Sequence, residues 1–175
     1  VPGQVYIFDM GTNYSGFIRL KVRNAPRGQR ICLRFGEWLN RDGSLYNENY
    51  RAVKSMMDEY ICSGASEEIW QPNFTFRGHR YVEITGWPGR PSFDSITGIE
   101  LTQNVDTTLS FSCGNTLINQ LHEAIEQTRR ANSIEVPTDC PQRDERQGWG
   151  GDALLFSRTA IYLTNMHSFY RKWLR

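Results

Sequence analysis

Apolar and polar side chains alternate along three early stretches of the chain. From Phe17 to Arg23, the residues Ile18, Leu20 and Val22 fall on one face and Arg19, Lys21 and Arg23 on the other. Arg30 to Phe35 sets Ile31, Leu33 and Phe35 against Arg30, Cys32 and Arg34, and Tyr81 to Ile84 repeats the pattern with Val82 and Ile84. A period of two predicts strands with one wet face, hence an antiparallel sheet packed on a core. Turn-forming residues separate the strands at Ala25-Pro26-Arg27-Gly28, Arg41-Asp42-Gly43-Ser44, Cys62-Ser63-Gly64 and Trp87-Pro88-Gly89. Short strands at this spacing predict a β-sandwich over residues 1–113.

After Cys113 the period becomes helical. Asn115 can cap a helix whose Leu117, Ile118, Leu121, Ala124 and Ile125 form one stripe. Asp152 to Leu163 is apolar more than halfway round, as expected of a helix deep in a helical assembly. Asn165 can cap a third helix carrying Met166, Phe169, Tyr170, Trp173 and Leu174. Strands followed by helices predict an α+β chain of two domains, residues 1–113 and 114–175. Three helices this apolar cannot bury their surface among themselves. Either the chain oligomerises through them, or it is part of a longer protein. The absence of an initial Met and the amphipathic helix running to Arg175 favour the second expectation.

Composition removes several classes of function. The 175 residues carry 20 basic and 19 acidic side chains, a net charge of +1, too balanced for a surface that draws in nucleic acid. No apolar run approaches the length that crosses a bilayer. Cys32, Cys62, Cys113 and Cys140 have no CxxC spacing, and His79, His122 and His167 lie far apart, so neither a zinc site nor a disulfide framework is expected. There is no leader pattern, and no compartment is read from the sequence.

Candidate chemistry concentrates between the first two helices. Residues 136–152 hold four carboxylates (Asp139, Asp144, Glu145, Asp152), two guanidinium groups (Arg143, Arg146) and an indole (Trp149). Pro137 and Pro141 push Val136 and Cys140 towards extended backbone. Two readings stand at this point: a functional loop, or a charged connection whose ions pair with one another at the surface. Carboxylates and arginines suit the hydroxyls of a neutral polyol, and an indole offers a wall to the C–H faces of a sugar ring. Glycoside hydrolysis needs one carboxylic acid to protonate the leaving oxygen and one carboxylate across the ring. Burial and neighbouring carboxylates raise the pKa of such an acid, whereas Arg143 and Arg146 oppose that. No phosphate loop, nucleophile elbow or metal pattern accompanies these residues.

The run Asp139-Cys140-Pro141-Gln142-Arg143-Asp144-Glu145-Arg146, followed by Gly148-Trp149 and Gly151-Asp152, closely resembles the signature of inverting α-L-rhamnosidases. The resemblance covers nearly the whole chain. Asp9-Met10-Gly11, Asp42-Gly43-Ser44-Leu45-Tyr46, and Trp70-Gln71-Pro72 through Arg80-Tyr81-Val82 look like the β-domain before the catalytic barrel. It implies an (α/α)6 barrel, of which this chain supplies the opening helices. By motif position, Glu145 resembles the general acid, Asp139, Arg143 and Asp152 the residues holding the rhamnose hydroxyls, and Trp149 an aromatic wall. Asp144 and Arg146 read as ion-paired support of the loop, Cys140 as a small packing residue, and Gly148 and Gly150 as turn formers. The general base, a second Glu, lies far downstream and is not in this sequence.

The resemblance implies a rhamnose-containing glycoside or polysaccharide as partner, and no cofactor, metal, nucleic acid or membrane. Two alternatives from other classes are a non-catalytic carbohydrate-binding β-sandwich module with a helical appendage, and an interaction domain that dimerises through its helices. Elsewhere, Trp38, Trp70 and Trp87 read as ordinary sandwich aromatics and Asn47 to Arg51 as a loop at a domain interface. His79 reads as a solvated or interface histidine, and Arg129 and Arg130 as positive charge at a helix C-terminus.

Overall fold

A computed structural model describes residues 4–48, 50 and 56–175. The chain separates into two units, Val1–Glu100 with Gln142–Asp144, and Leu101–Pro141 with Glu145–Arg175. The first is built from antiparallel strands, the second from three helices.

Eight strands are described: β1 (Val5–Arg23), β2 (Arg30–Gly36), β3 (Trp38–Leu39), β4 (Leu45–Tyr46), β5 (Met57–Ile61), β6 (Glu67–Trp70), β7 (Arg77–Thr85) and β8 (Ile96–Glu100). Six of them form one sheet in the order β5-β2-β7-β1-β6, with β8 also paired to β1, while β3 and β4 make a separate ribbon. At nineteen residues, β1 is long enough to pair with β7 through its first half and with β8 and β6 through its second. The alternation expected for residues 17–23 occupies only the end of this strand. Its start joins through an irregularity between Asp9 and Tyr14, where Gly11 takes a φ of +86° that an L side chain rarely adopts. The Gly11 amide donates to Asp9 Oδ1, and Arg80 grips both oxygens of Asp9, which holds the bulge in place.

The faces follow the alternation. Ile18, Leu20 and Val22 from β1, Ile31, Leu33 and Phe35 from β2, Val82 and Ile84 from β7 and Ile96 from β8 share one buried cluster. Residues from the connections, Ala25, Tyr50, Met56, Cys62 and Trp87, close it. Burying each large aliphatic here contributes roughly 1.5–3 kcal/mol. The three tryptophans divide: Trp87 is buried in this core, Trp70 stacks on Tyr60 with ring centroids 5.2 Å apart, and Trp38 stands exposed. Of the stretch Asn47 to Arg51, residues Asn49 and Arg51 lie outside the described residues.

His79 departs from expectation. It is fully buried, with Nδ1 3.0 Å from the Arg77 carbonyl and Nε2 3.1 Å from the Tyr14 hydroxyl, its ring edge-on to Phe35. A carbonyl only accepts, so Nδ1 carries the proton and Nε2 accepts from Tyr14. Burial pulls the imidazole down to about 4 and pushes the Tyr14 hydroxyl up to about 12. Its neighbours in sequence, Arg and Gly, carry no sign of this, because its partners come from β1 and β2.

A base with a lowered folded pKa leaves the folded state binding fewer protons than the unfolded chain, whose His titrates near pH 6.5. The stability due to neutral His79 is therefore complete above about pH 6.5 and declines as pH falls towards about 4. The expected slope is on the order of 1 kcal/mol per pH unit. Urea unfolding followed between pH 7 and pH 4 checks it: His79→Gln should flatten this slope, and an unchanged slope would assign the loss to other groups.

The helical unit contains α1 (Thr116–Ala131), α2 (Gly150–Leu163) and α3 (His167–Trp173). Asn115 caps α1 as expected, its side chain accepting from the amides of Leu117 and Ile118. The cap residue of α3 is Met166 rather than Asn165, whose Oδ1 instead accepts from the His167 amide at 3.4 Å. Arg129 does more than complement the end of α1: it is buried, with Nε and Nη2 each 3.2 Å from Glu126 Oε2. A small core joins Ala160, Met166 and Phe169 to Val105, Phe156 and Tyr170. Much apolar surface is left open. Leu117 is 74% exposed, Leu154 74% and Leu155 84%, with Ile118, Leu121, Ile161 and Tyr162 also exposed. Three short helices do not supply enough surface to cover all these faces.

Candidate active site

The connection between α1 and α2 is organised by its own backbone. At the end of α1, the Asn132 carbonyl accepts from the Thr138 amide at 2.9 Å and from its hydroxyl at 3.2 Å. Beyond it, Asp139 and Gln147 are tied twice: the Asp139 amide donates to the Gln147 carbonyl at 3.1 Å, and the Gln147 amide donates to Asp139 Oδ1 at 2.8 Å. These bonds close a loop over residues 139–147. Arg146 takes the left-handed conformation, φ 49°, just before the closing residue. The Gln147 carbonyl also accepts from Trp149, the N-cap of α2.

Closing the loop brings Asp139 and Glu145 together although they are six positions apart. One ligand-type atom each from Asp139, Cys140 and Glu145 lies within 4.8 Å of the others. Cys140 is 7% exposed and its Sγ donates to Asp139 Oδ2 at 3.1 Å. Three such atoms are close enough for an ion. A thiol that keeps its proton to donate is not, however, in the thiolate form that binds metal.

Asp139 also lines a cavity of about 240 Å³ with Asp152, Thr138, Asn132, Phe156 and Tyr170. Its size is below that of pockets for drug-sized ligands and suits a single small ring. Asp152 sits in the first turn of α2, where the helix dipole favours negative charge. Trp149, 48% exposed, presents its indole at the start of the same helix. A larger hollow of about 780 Å³ near α3 is lined by residues such as Ile161, His167, Tyr170 and Arg171 and has no Asp or Glu to run acid–base chemistry.

The predicted residues thus divide. Asp139, Glu145, Arg146, Trp149 and Asp152 belong to the helical unit, whereas Arg143 and Asp144 group with the sheet unit. Within the sheet unit, burial raises the Glu37 carboxyl, opposed by a 2.6 Å hydrogen bond from Asn13 and by the charge of Arg143. Glu37 was not among the sequence candidates, since nothing local links it to residue 143. Gly148 and Gly150 are not turn formers in the left-handed sense, neither having positive φ. Gly148 is needed for close approach instead: a Cβ there would stand 2.7 Å from Trp173 Nε1.

Residues 1–102 match the bacterial alpha-L-rhamnosidase concanavalin-like domain, and residues 106–175 the bacterial alpha-L-rhamnosidase 6 hairpin glycosidase domain. An alpha-L-rhamnosidase of Streptomyces avermitilis is 42% identical over 99% of the chain, and one of Formosa agariphila 38% identical over 97%. Among solved structures, the alpha-L-rhamnosidase from Dictyoglumus thermophilum superposes with a TM-score of 0.93 at 41% identity over 98% of the chain. The Streptomyces avermitilis enzyme complexed with L-rhamnose does so with a TM-score of 0.93 at 42% identity over 97%. The chain spans only 16% and 18% of the first two proteins and 19% and 16% of the two structures.

Proposed function

The chain belongs to the bacterial α-L-rhamnosidase family, and we propose that, within a longer polypeptide, it helps hydrolyse terminal α-L-rhamnose residues from rhamnosides with inversion at the anomeric carbon. In this reading Glu145 is the general acid. Asp139, Arg143 and Asp152 hold the sugar hydroxyls, and Trp149 covers a ring face. Asp144 and Arg146 support the loop. The helices open an (α/α)6 barrel whose remaining members cover the exposed faces of α1 and α2. The base that activates water comes from outside residues 1–175.

One observation carries the reading: loop closure sets Glu145 beside Asp139, and Asp139 shares a monosaccharide-sized cavity with Asp152. Glu145 gives its proton to the exocyclic oxygen as the C–O bond breaks, and water attacks the opposite face while the base takes its proton. An inverting pair stands about 6.5–9.5 Å apart to admit that water. Asp139 and Glu145 atoms within 4.8 Å are too close for it, which argues against Asp139 as the base.

The same closeness favours a second reading, a retaining pair with Asp139 as nucleophile, since such carboxyls stand about 5–5.5 Å apart. Against it, the run from Asp139 to Asp152 resembles the signature of inverting enzymes. Proton NMR of the first sugar released from an aryl α-L-rhamnoside by the longer protein separates the two. β-L-rhamnose is expected to appear first; the α anomer appearing first would assign the retaining pair.

A further inference from the structure

We propose that Cys140 is a positioning residue, its buried thiol fixing the carboxylate of Asp139 in the orientation that receives the sugar. This rests on the reading of Asp139 as a sugar-binding residue. A carboxylate on a loop turns about its side-chain torsions unless both oxygens are held. Here the Gln147 amide takes Oδ1 at 2.8 Å and the Cys140 sulfur takes Oδ2 at 3.1 Å. Pro141 biases the backbone of Cys140 towards extended geometry, which narrows the directions open to the thiol.

The choice of sulfur has a chemical consequence. Two carboxylate oxygens offer about four lone-pair sites, so two protein donors leave acceptor capacity for sugar hydroxyls. A thiol is a weak donor and competes little with those hydroxyls for Oδ2. A buried residue serving only to pack would not direct a proton at the carboxylate.

The test uses the longer protein carrying Cys140→Ala, Cys140→Ser or Asp139→Asn, with KM, kcat, inhibition by free L-rhamnose and Tm measured for each. Cys140→Ala should raise KM and the rhamnose inhibition constant together by roughly three- to tenfold, with kcat changed far less. Cys140→Ser, which keeps a donor, should restore most of both. A lowered Tm with unchanged KM and rhamnose inhibition in Cys140→Ala would overturn the proposal. If Asp139→Asn also leaves both constants unchanged, the sugar-binding reading of Asp139 falls with it. If Asp139→Asn raises them and Cys140→Ala does not, the thiol alone is refuted. Should Cys140→Ala fail to fold, the infrared S–H stretch decides. The difference spectrum between the unmodified protein and Cys140→Ser should hold a red-shifted band, and an unshifted band overturns the hydrogen bond.

Discussion

Glu145→Gln in the longer protein should slow hydrolysis of alkyl and sugar-linked rhamnosides by about 10²–10⁴, while aryl rhamnosides with acidic leaving groups lose far less. The asymmetry follows from what a general acid supplies. An alkoxide cannot depart without a proton, so with Glu145 as the proposed acid its departure should depend on that residue; an activated phenolate departs unaided, and the amide of Gln still offers it a hydrogen bond. KM for both substrates should stay within a few fold, because the variant keeps the size of the side chain beside Asp139. Steady-state kinetics on the two substrate classes make the comparison. Equal losses on both would move Glu145 from proton donor to sugar binder and leave the acid to be found elsewhere.

The second large effect concerns residues 1–175 by themselves. They should release no aryl aglycone above the uncatalysed background, whereas the longer protein should turn over readily. The proposed acid is present, but its near neighbour Asp139 is too close to share a hydrolytic water with it. The helices that carry the site also lack cover, with Leu117, Leu121, Leu154 and Leu155 open to solvent. Without walls the site does not exclude water, and its fields are screened. A chromogenic assay with matched circular dichroism, to establish that the chain is folded, reads this directly. Turnover by the 175 residues that disappears in Asp139→Asn or Asp152→Asn would place the second carboxylate inside this chain.

Some of this was legible along the sequence because the physics is local. A strand with one wet face needs only alternate residues, so Ile18, Leu20 and Val22 declare their face without knowing their partners. The capping of α1 needs only Asn115 and two amides within three residues. The candidate loop also stood out by content, since carboxylates, arginines and an indole lay between two apolar helices.

Other features depend on partners that the chain brings from a distance. The burial of His79 requires Tyr14 and Phe35, 65 and 44 positions earlier (79 − 14 and 79 − 35). The length of β1 requires a bulge that only its register against β7 reveals. Gly148 looks like a turn until Trp173, 25 positions later (173 − 148), lies against it.

The sequence by itself determined the order of strands then helices, the core-facing positions of the strands at residues 17–23, 30–35 and 81–84, the first helix cap and the stock of chemical groups between α1 and α2. Period, capping and composition act within a few residues, and their consequences are set before the chain folds. Only the tertiary structure decided which carboxylates meet, which oxygen each donor takes and which apolar faces stay open. Those outcomes depend on the path the loop takes as it closes and on surfaces supplied by remote residues, and neither period nor composition within a window fixes them.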